Sequence, residues 1–344
     1  SLSGTITDRT GISGSSNIFK VRPFGFAMDI LDDSGTSTNF NGYANSANGT
    51  LLTRTGEDFV VGLRTVQWVD GEDSNNDGVP DNFDDLANNN TAEHFTGTVT
   101  LAPQQRLPAG GTTGALSTSR VLFDDEGKVN VSLNYDEVGT ISINAQSTYL
   151  TDTTVLGQVN NVGRFAPSNF ALSGSVDAAC TASGAFTYFD QPLADVSFSL
   201  NALNHNGSRT VNYYDGFDKL TNLSLQVEHL GSLLNRLANT SPITWPQNAS
   251  AGQISYADSD IAFSRLSGAT LDGAYLDANI VLVAQSSQLD GANFNGLTCS
   301  GTCVADIGGA VSFAYGRATL INNYGGADEA LLLPMRTQYW DGNN

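Results

Sequence analysis

Apolar and polar residues alternate with period two along much of this chain, and this pattern predicts strands. In Asp58–Val69, Val61, Leu63, Thr65 and Gln67 fall on one face, while Val60, Arg64, Val66 and Trp68 fall on the other. Gly62 in that run is the expected place of a bulge. Thr96–Leu101 continues the strand pattern. The clearest signal is Val129–Ala145, where VNVSLNY and TISINA alternate on either side of Asp136–Gly139 and so predict two strands around a short turn. Phe19–Ile30 reads as a strand pair around Pro23. Further strands are expected at Asp195–Leu203, Ala278–Ala284, Ala310–Ala314, Arg317–Ile321 and Leu331–Tyr339. One segment breaks the rule. Val227, Leu230, Leu233, Leu234 and Leu237 are spaced as on a helix, and Pro242 would stop it.

The expectation is a mainly β protein with two or more immunoglobulin-like β-sandwich domains and at most one short helix. Its parts would be a linker or edge strand over 1–18, a first β domain over 19–150 and a connector over 151–163. A second sandwich would cover 164–344, truncated at its C-terminal end. The 344 residues suffice for two such domains.

Charge narrows the function classes. The chain has 15 basic and 35 acidic residues, a net charge of −20. Phosphate binding needs clustered Lys and Arg, so nucleic acid is excluded as a partner, and an anionic membrane surface is disfavoured. No apolar run is long enough for a membrane span. An acidic, weakly charged, Gly-rich β chain points to the extracellular space or the bacterial cell surface. The start holds no signal peptide, so an exported chain would be a mature or excised piece. Cys299 and Cys303 flank a tight Ser-Gly-Thr loop and are placed to form a local disulfide, which suits an oxidising compartment. Cys180 is left over, either free or paired outside the chain.

The motif richest in chemistry is Asp73-Ser-Asn75-Asn-Asp77-Gly78-Val79-Pro80-Asp81-Asn-Phe-Asp84. Calcium takes six to eight hard oxygen ligands. Asp73, Asn75 and Asp77 stand at loop positions 1, 3 and 5, and Gly78 permits the sharp turn at position 6. The Val79 carbonyl, Asp81 and Asp84 stand at positions 7, 9 and 12. Position 12 is Asp and not Glu, and the flanks read as strand and loop, so this is not an intracellular helix–loop–helix sensor. The alternative is a solvated Asp/Asn loop.

Catalytic signatures are missing. His94, His205 and His229 are isolated, and no nucleophile elbow or phosphate loop occurs. The 35 acids always leave room for a carboxylate pair, but nothing singles one out. The chain is therefore expected to bind or hold rather than catalyse. Trp245, Tyr256 and Tyr275 are candidates for a glycan-binding face, or else core residues.

Specific strings add a resemblance. Val21-Arg-Pro-Phe-Gly-Phe26, Val162-Gly-Arg-Phe-Ala-Pro-Ser-Asn-Phe170 and Phe186-Thr-Tyr-Phe-Asp-Gln-Pro192 following Cys180 resemble segments of the MSHA pilus biogenesis protein MshQ family. Asn212-Tyr-Tyr-Asp-Gly-Phe-Asp-Lys219, Asp272-Gly-Ala-Tyr-Leu276, Tyr315-Gly-Arg-Ala-Thr-Leu-Ile-Asn-Asn-Tyr-Gly325 and Leu333-Pro-Met-Arg-Thr-Gln-Tyr-Trp-Asp-Gly342 come next in the same order. The resemblance implies a pilus-associated surface protein whose partners are other pilus or surface subunits, or itself. It supplies no catalytic residues and does not include the Asp73–Asp84 loop. A glycan is the alternative ligand.

Overall fold

The computed structural model describes residues 3–5, 13–15, 21–32, 35–37, 46–150, 152–180, 186–248, 252–267, 273–328 and 330–340. These form two compact units. One comprises Ser1–Thr53, Glu57–Asp136 and Thr140–Arg164, and the other Arg54–Gly56, Glu137–Gly139 and Phe165–Asn344.

The first ten strands are β1 (Ser3–Thr5), β2 (Ser13–Ser15), β3 (Gly25–Leu31), β4 (Thr53–Arg54), β5 (Asp58–Val66), β6 (Thr96–Leu107), β7 (Arg120–Asp124), β8 (Lys128–Asn134), β9 (Gly139–Tyr149) and β10 (Thr153–Ala166). Within 1–18, β1 and β2 pair as a two-stranded ladder, and the rest lies outside the described residues. The main sheet runs in the order β7-β6-β9-β10-β3-β5-β8. It curls over on itself. β7 and β3 are four strand spacings apart, about 19 Å if the sheet were flat. Yet Phe26 of β3 and Phe123 of β7 have ring centroids 5.9 Å apart, and Phe95 packs edge-on to both at 5.6 and 5.4 Å. These three rings form the centre of a sandwich core with Val61, Leu63, Ile141 and Ile143, all at most 2% exposed. Burying each such side chain contributes about 1.5–3 kcal/mol.

Several local expectations change. Residues 19–20 lie outside the described set, and the chain after Pro23 forms the single strand β3, not a strand pair. Gly62 sits in unbroken register between Asp29 and Asn130, so there is no bulge. A Cβ at Gly62 would lie 3.1 Å from Leu31 Cδ1, so close side-chain packing accounts for the glycine. The two strands of 129–145 are present but do not pair with each other. β8 joins β5, whereas β9 joins β6. The residues between them explain this. Glu137 and Val138 are 7% and 0% exposed, so the segment is a buried crossing and not a solvent-facing turn. The expected connector over 151–163 is mostly the 14-residue strand β10, whose Val155 and Val159 enter the core; Thr151 lies outside the described residues.

The second unit holds β11 (Asn169–Asp177), β12 (Phe186–Tyr188), β13 (Asp195–Leu203), β14 (Ser224–His229), β15 (Ser232–Leu234), β16 (Leu237–Ala238), β17 (Gln253–Asp258), β18 (Ala262–Phe263), β19 (Tyr275–Gln285), β20 (Asn293–Phe294), β21 (Thr302–Leu320) and β22 (Met335–Trp340). One sheet runs β17-β13-β11-β20 and another β12-β21-β19-β14-β15, with β22 added to β21. β13 alternates strictly, burying Val196, Phe198, Leu200 and Ala202. The two stretches Ala310–Ala314 and Arg317–Ile321, expected as separate strands, run almost entirely within the one strand β21.

The expected helix is a β-hairpin. β14 and β15 pair with Val227 opposite Leu234 and His229 opposite Ser232, and β14 also pairs with β19. Leu230 and Gly231 form the two-residue turn with φ of 49° and 78°. Positive φ at both central residues matches the natural twist of a hairpin. The helical spacing therefore arose from one inward strand residue, Val227, and a turn leucine that is 90% exposed. Helix is confined to 3-10 turns at Phe83–Asn88 and Ser286–Gln288 among the described residues. No helix among them is long and apolar enough to cross a membrane. The sandwich class expected from the sequence holds.

Candidate functional site

The Asp70–Asn90 loop leaves β5 and returns to β6, and its conformation is highly specified. Asp73 accepts from the backbone N–H groups of Asp77 (Oδ1, 3.0 Å) and Gly78 (Oδ2, 2.8 Å). Asn75 Oδ1 accepts from the same Asp77 N–H at 3.0 Å, and Asn75 Nδ2 donates to Asp77 Oδ2 at 3.0 Å. Asp77 Oδ1 accepts from Val79 N at 2.8 Å. Asp81 Oδ2 accepts from Ser74 N at 2.8 Å. Hydrogen bonds from the Ser74 hydroxyl and amide hold the Asp81 carboxyl below its ordinary range. Asp84 lies in the first turn of the Phe83–Asn88 helix, its N–H bonded to the Asn82 cap at 3.1 Å.

The fold thus brings Asp73, Asn75 and Asp77 together through shared amides and ties Asp81 back to Ser74. These oxygens accept hydrogen bonds from the loop and keep acceptor capacity for a hard cation. Among the described residues, no three acidic, His or Cys side chains are drawn together closely enough to hold a metal by themselves. A calcium ion here would need the Asn75 amide, the Val79 carbonyl and water to complete its shell.

Two arginines hold this loop, and sequence reasoning missed both. The Arg22 guanidinium donates to the Gly78 carbonyl and, at 3.0 Å, to that of Pro23. Gly78 has φ 80°, which favours glycine, and a Cβ there would lie 2.6 Å from Arg22 Nη2 and displace that guanidinium. Arg64, on the outward face of β5, donates to the carbonyls of Leu86 (3.1 Å), Ala87 and Asn89 at the end of the 3-10 turn. The Leu86 carbonyl also accepts the Asn89 N–H at 3.3 Å, so the cation adds to that cap and binds the Ala87 and Asn89 carbonyls at the end of the turn. Leu86 is fully buried against Phe24, Ala27 and Val66, and Phe83 packs beside them. The sequence signal was present in Arg64, the one cation in the largely apolar strand β5.

The Cys299–Cys303 disulfide is formed, with Cα atoms 5.5 Å apart, and Cys180 is free. Of the three aromatic candidates for a ligand face, two are buried and Tyr275 is half-buried. Trp245 is 4% exposed and donates from Nε1 to the Leu220 carbonyl at 2.7 Å, while Tyr213 Oη accepts the Leu220 N–H at 3.0 Å. Tyr256 is 8% exposed and stacks on Phe198 at 4.8 Å. Tyr275 packs edge-on to Phe263 and His229. Their rings stabilise the core. The exposed tryptophan is Trp68, at 54%.

Comparison with known proteins gives a family. Residues 22–136 match the second domain of DUF6701, and residues 137–309 match its third domain. No curated protein sequence matches the chain. Among solved structures, a C-terminal 282-residue fragment of intimin, in complex with the intimin-binding domain of its translocated receptor, is 12% identical. That match covers 76% of this chain and 62% of the fragment, with a TM-score of 0.26. Escherichia coli alpha-2-macroglobulin activated by porcine elastase is 10% identical, covering 90% of this chain and 24% of that one, also at 0.26. The chain thus spans less than two thirds of either structure. The boundary between the two matched domains falls at the buried crossing Glu137–Gly139, although Thr140–Arg164 packs with the first unit. The two matches together account for most of the chain, which belongs to the DUF6701 family.

Proposed function

We propose that the chain is an extracellular structural or adhesive part of a pilus-associated surface assembly, working by binding and not by catalysis. The observation that carries this reading is the arm formed by the end of β21 and by β22. These strands pair from Tyr315 opposite Trp340 to Leu320 opposite Met335. The arm is rooted by Phe186 stacking on Tyr339 at 4.9 Å and by Phe189 packing at a tilt against Tyr315 at 4.5 Å. Past Ala314, β21 has no strand partner other than β22 among the described residues. Leu320, Leu332 and Met335 on the arm are 63%, 83% and 65% exposed.

An isolated two-stranded ribbon is marginal in water. Its open edge is a template for another strand, and clustered exposed apolar residues mark interaction sites. Arg317 and Arg336 place two cations on this arm of a chain whose net charge is −20, which favours contact with a second acidic surface protein. The Cys299–Cys303 bridge suits an oxidising compartment. The MshQ-like strings supply the pilus context. The test is a variant with Leu320, Leu332 and Met335 all changed to Lys, expressed in the native cells. It should fold as the parent does yet lose retention in the surface or pilus fraction. Equal retention of both, or a cytoplasmic location for the parent, overturns the proposal.

Calcium at Asp73, Asn75, Asp77, Val79, Asp81 and Asp84 belongs to the same proposal. The loop has its hard oxygen donors already oriented by amides, so binding would close a formed scaffold. A site filled at 100 times its Kd stabilises by about 2.7 kcal/mol. Thermal unfolding in calcium should therefore exceed that in EDTA, and Asp77→Ala should abolish the difference. Identical melting curves for the parent in both buffers would sink the calcium reading.

A further inference from the structure

The first unit carries a groove that neither the family match nor the calcium reading assigns. Its cavity volume is about 690 Å³, within the ~300–1,000 Å³ range of small-ligand sites. Its walls are residues 67–68 and 91–94, with Val21 and Arg22 alongside. These walls are fixed by the main chain. Gln67 N donates to the Asn90 carbonyl at 2.9 Å, Ala92 N to that of Thr65 at 2.9 Å and His94 N to that of Asp125 at 3.0 Å. The groove is therefore preformed.

We infer that this groove binds a neutral pyranose ring of a glycan, with Trp68 as the stacking platform. Three observations select that ligand class. First, the 54% exposed Trp68 ring offers a flat apolar face beside Val21 and Ala92, which suits the C–H face of a sugar. Second, the rim is polar with both donors and acceptors. The Trp68 indole N–H and the Glu93 carboxylate have no protein partner among the described residues, and Gln67 uses only its Nε2, on the Thr91 carbonyl at 3.2 Å. Hydroxyl groups, each donor and acceptor, match such a rim. Third, Glu93 in the groove and Asp70 and Glu72 just beyond Trp68, on a chain of net charge −20, repel an anionic ligand. A peptide strand is disfavoured because the Gln67, Ala92 and His94 amides are already paired, so the groove lacks a continuous open strand edge. The Arg22 guanidinium keeps its charge, but it is one cation against the three carboxylates of Asp70, Glu72 and Glu93, and its N–H groups are committed to backbone carbonyls.

A shallow groove with one aromatic anchor gives millimolar affinity for a single ring, strengthened when several copies are displayed together. The chain has three tryptophans, so its indole N–H signals are few enough to follow individually by 15N NMR. Titration with neutral monosaccharides and their oligomers should shift the Trp68 signal saturably while leaving buried Trp245 unmoved. Trp68→Ala should raise Kd at least ~10-fold, as truncating an aromatic anchor does, and Trp68→Phe should retain part of the affinity. The exposed site makes both variants foldable, which the backbone amide signals of the first unit's core residues, such as Val61 and Ile141, verify. Absence of any saturable shift with neutral sugars at tens of millimolar overturns the inference. So does tighter binding of sialylated than of neutral glycans, or an unchanged Kd in Trp68→Ala. EDTA should leave the titration intact, which separates this site from the calcium reading.

Discussion

Replacing Glu137 tests whether the buried crossing between β8 and β9 organises the second unit. Glu137 is 7% exposed, and its carboxylate accepts from four N–H contacts. Val138 N lies 2.7 Å from Oε1, Val211 N lies 3.1 and 2.9 Å from the two oxygens, and Asn212 N lies 3.1 Å from Oε1. The Asn212 amide returns a bond to the Val138 carbonyl at 3.2 Å. Glu137→Ala strands three donors, of which those of Val138 and Asn212 belong to fully buried residues. An unsatisfied buried donor costs about 1–3 kcal/mol, so the expected loss is ~3–5 kcal/mol. Glu137→Gln keeps one acceptor oxygen but turns an amide NH₂ toward Val211 N, so its loss should be smaller, ~1–2 kcal/mol. The assay must report the second unit alone, because two units need not unfold together. In a Trp68→Phe, Trp340→Phe background, Trp245 is the remaining tryptophan, and it packs 4.8 Å from Tyr213, next to Asn212. Urea unfolding monitored by Trp245 fluorescence then gives the difference directly. A loss below ~1 kcal/mol for Ala, or equal losses for Ala and Gln, would show that the hydrogen-bonded carboxylate is not the organising element.

Arg64→Met keeps the side-chain stem but removes the donors to the Leu86, Ala87 and Asn89 carbonyls; it should cost ~1–3 kcal/mol and speed amide exchange in Phe83–Asn89 above that in β5. Leu86→Ala empties a fully buried position and should cost ~2–5 kcal/mol by denaturant unfolding of the first unit. Leu230→Asn should stabilise by ~0.5–1 kcal/mol, because Leu230 is 90% exposed at φ 49° in a turn where Asn-Gly is favoured; a lower melting temperature would refute the turn assignment. The Tyr256 phenol is pushed up to about 12 by burial and by its hydrogen bond to Asp258. Its folded value is raised, so the stability it contributes is full below about pH 10 and is lost as pH rises toward about 12; Tyr256→Phe should remove that alkaline loss from a pH series of unfolding midpoints.

The range of each interaction decided what was legible in the sequence. β13 and β5 were readable because alternation is local: every second residue meets the same core, and one strand carries the whole signal. Strand partners were not readable, because pairing is fixed by residues far apart. β8 and β9 look like a hairpin until the burial of Val138 and the Glu137 bonds to Val211 and Asn212 are known. The helix expected over Val227–Leu237 failed for a related reason. Turn chemistry at Leu230-Gly231 was hidden by a leucine where Asn or Asp usually stands, so the spacing rule read a turn residue as part of an apolar face. The same distinction bears on the Asp73–Asp84 loop. Its Asx bonds span only a few residues and so are set by the local spacing of Asp73, Asn75, Asp77 and Gly78, although the motif alone assigns those oxygens to an ion and not to backbone amides. The arginine contacts do not, since Arg22 reaches Gly78 across 56 positions and Arg64 reaches Leu86 across 22. Those long-range clamps matter for how an ion would act. A loop already held at Gly78 and at Leu86 has surrendered much of its conformational entropy before any cation arrives. Calcium would then add binding energy to an ordered loop, and the expected signature is a shift in melting temperature with little change in backbone exchange. Loss of both arginine clamps should convert that signature into calcium-dependent ordering of Asp70–Asn90.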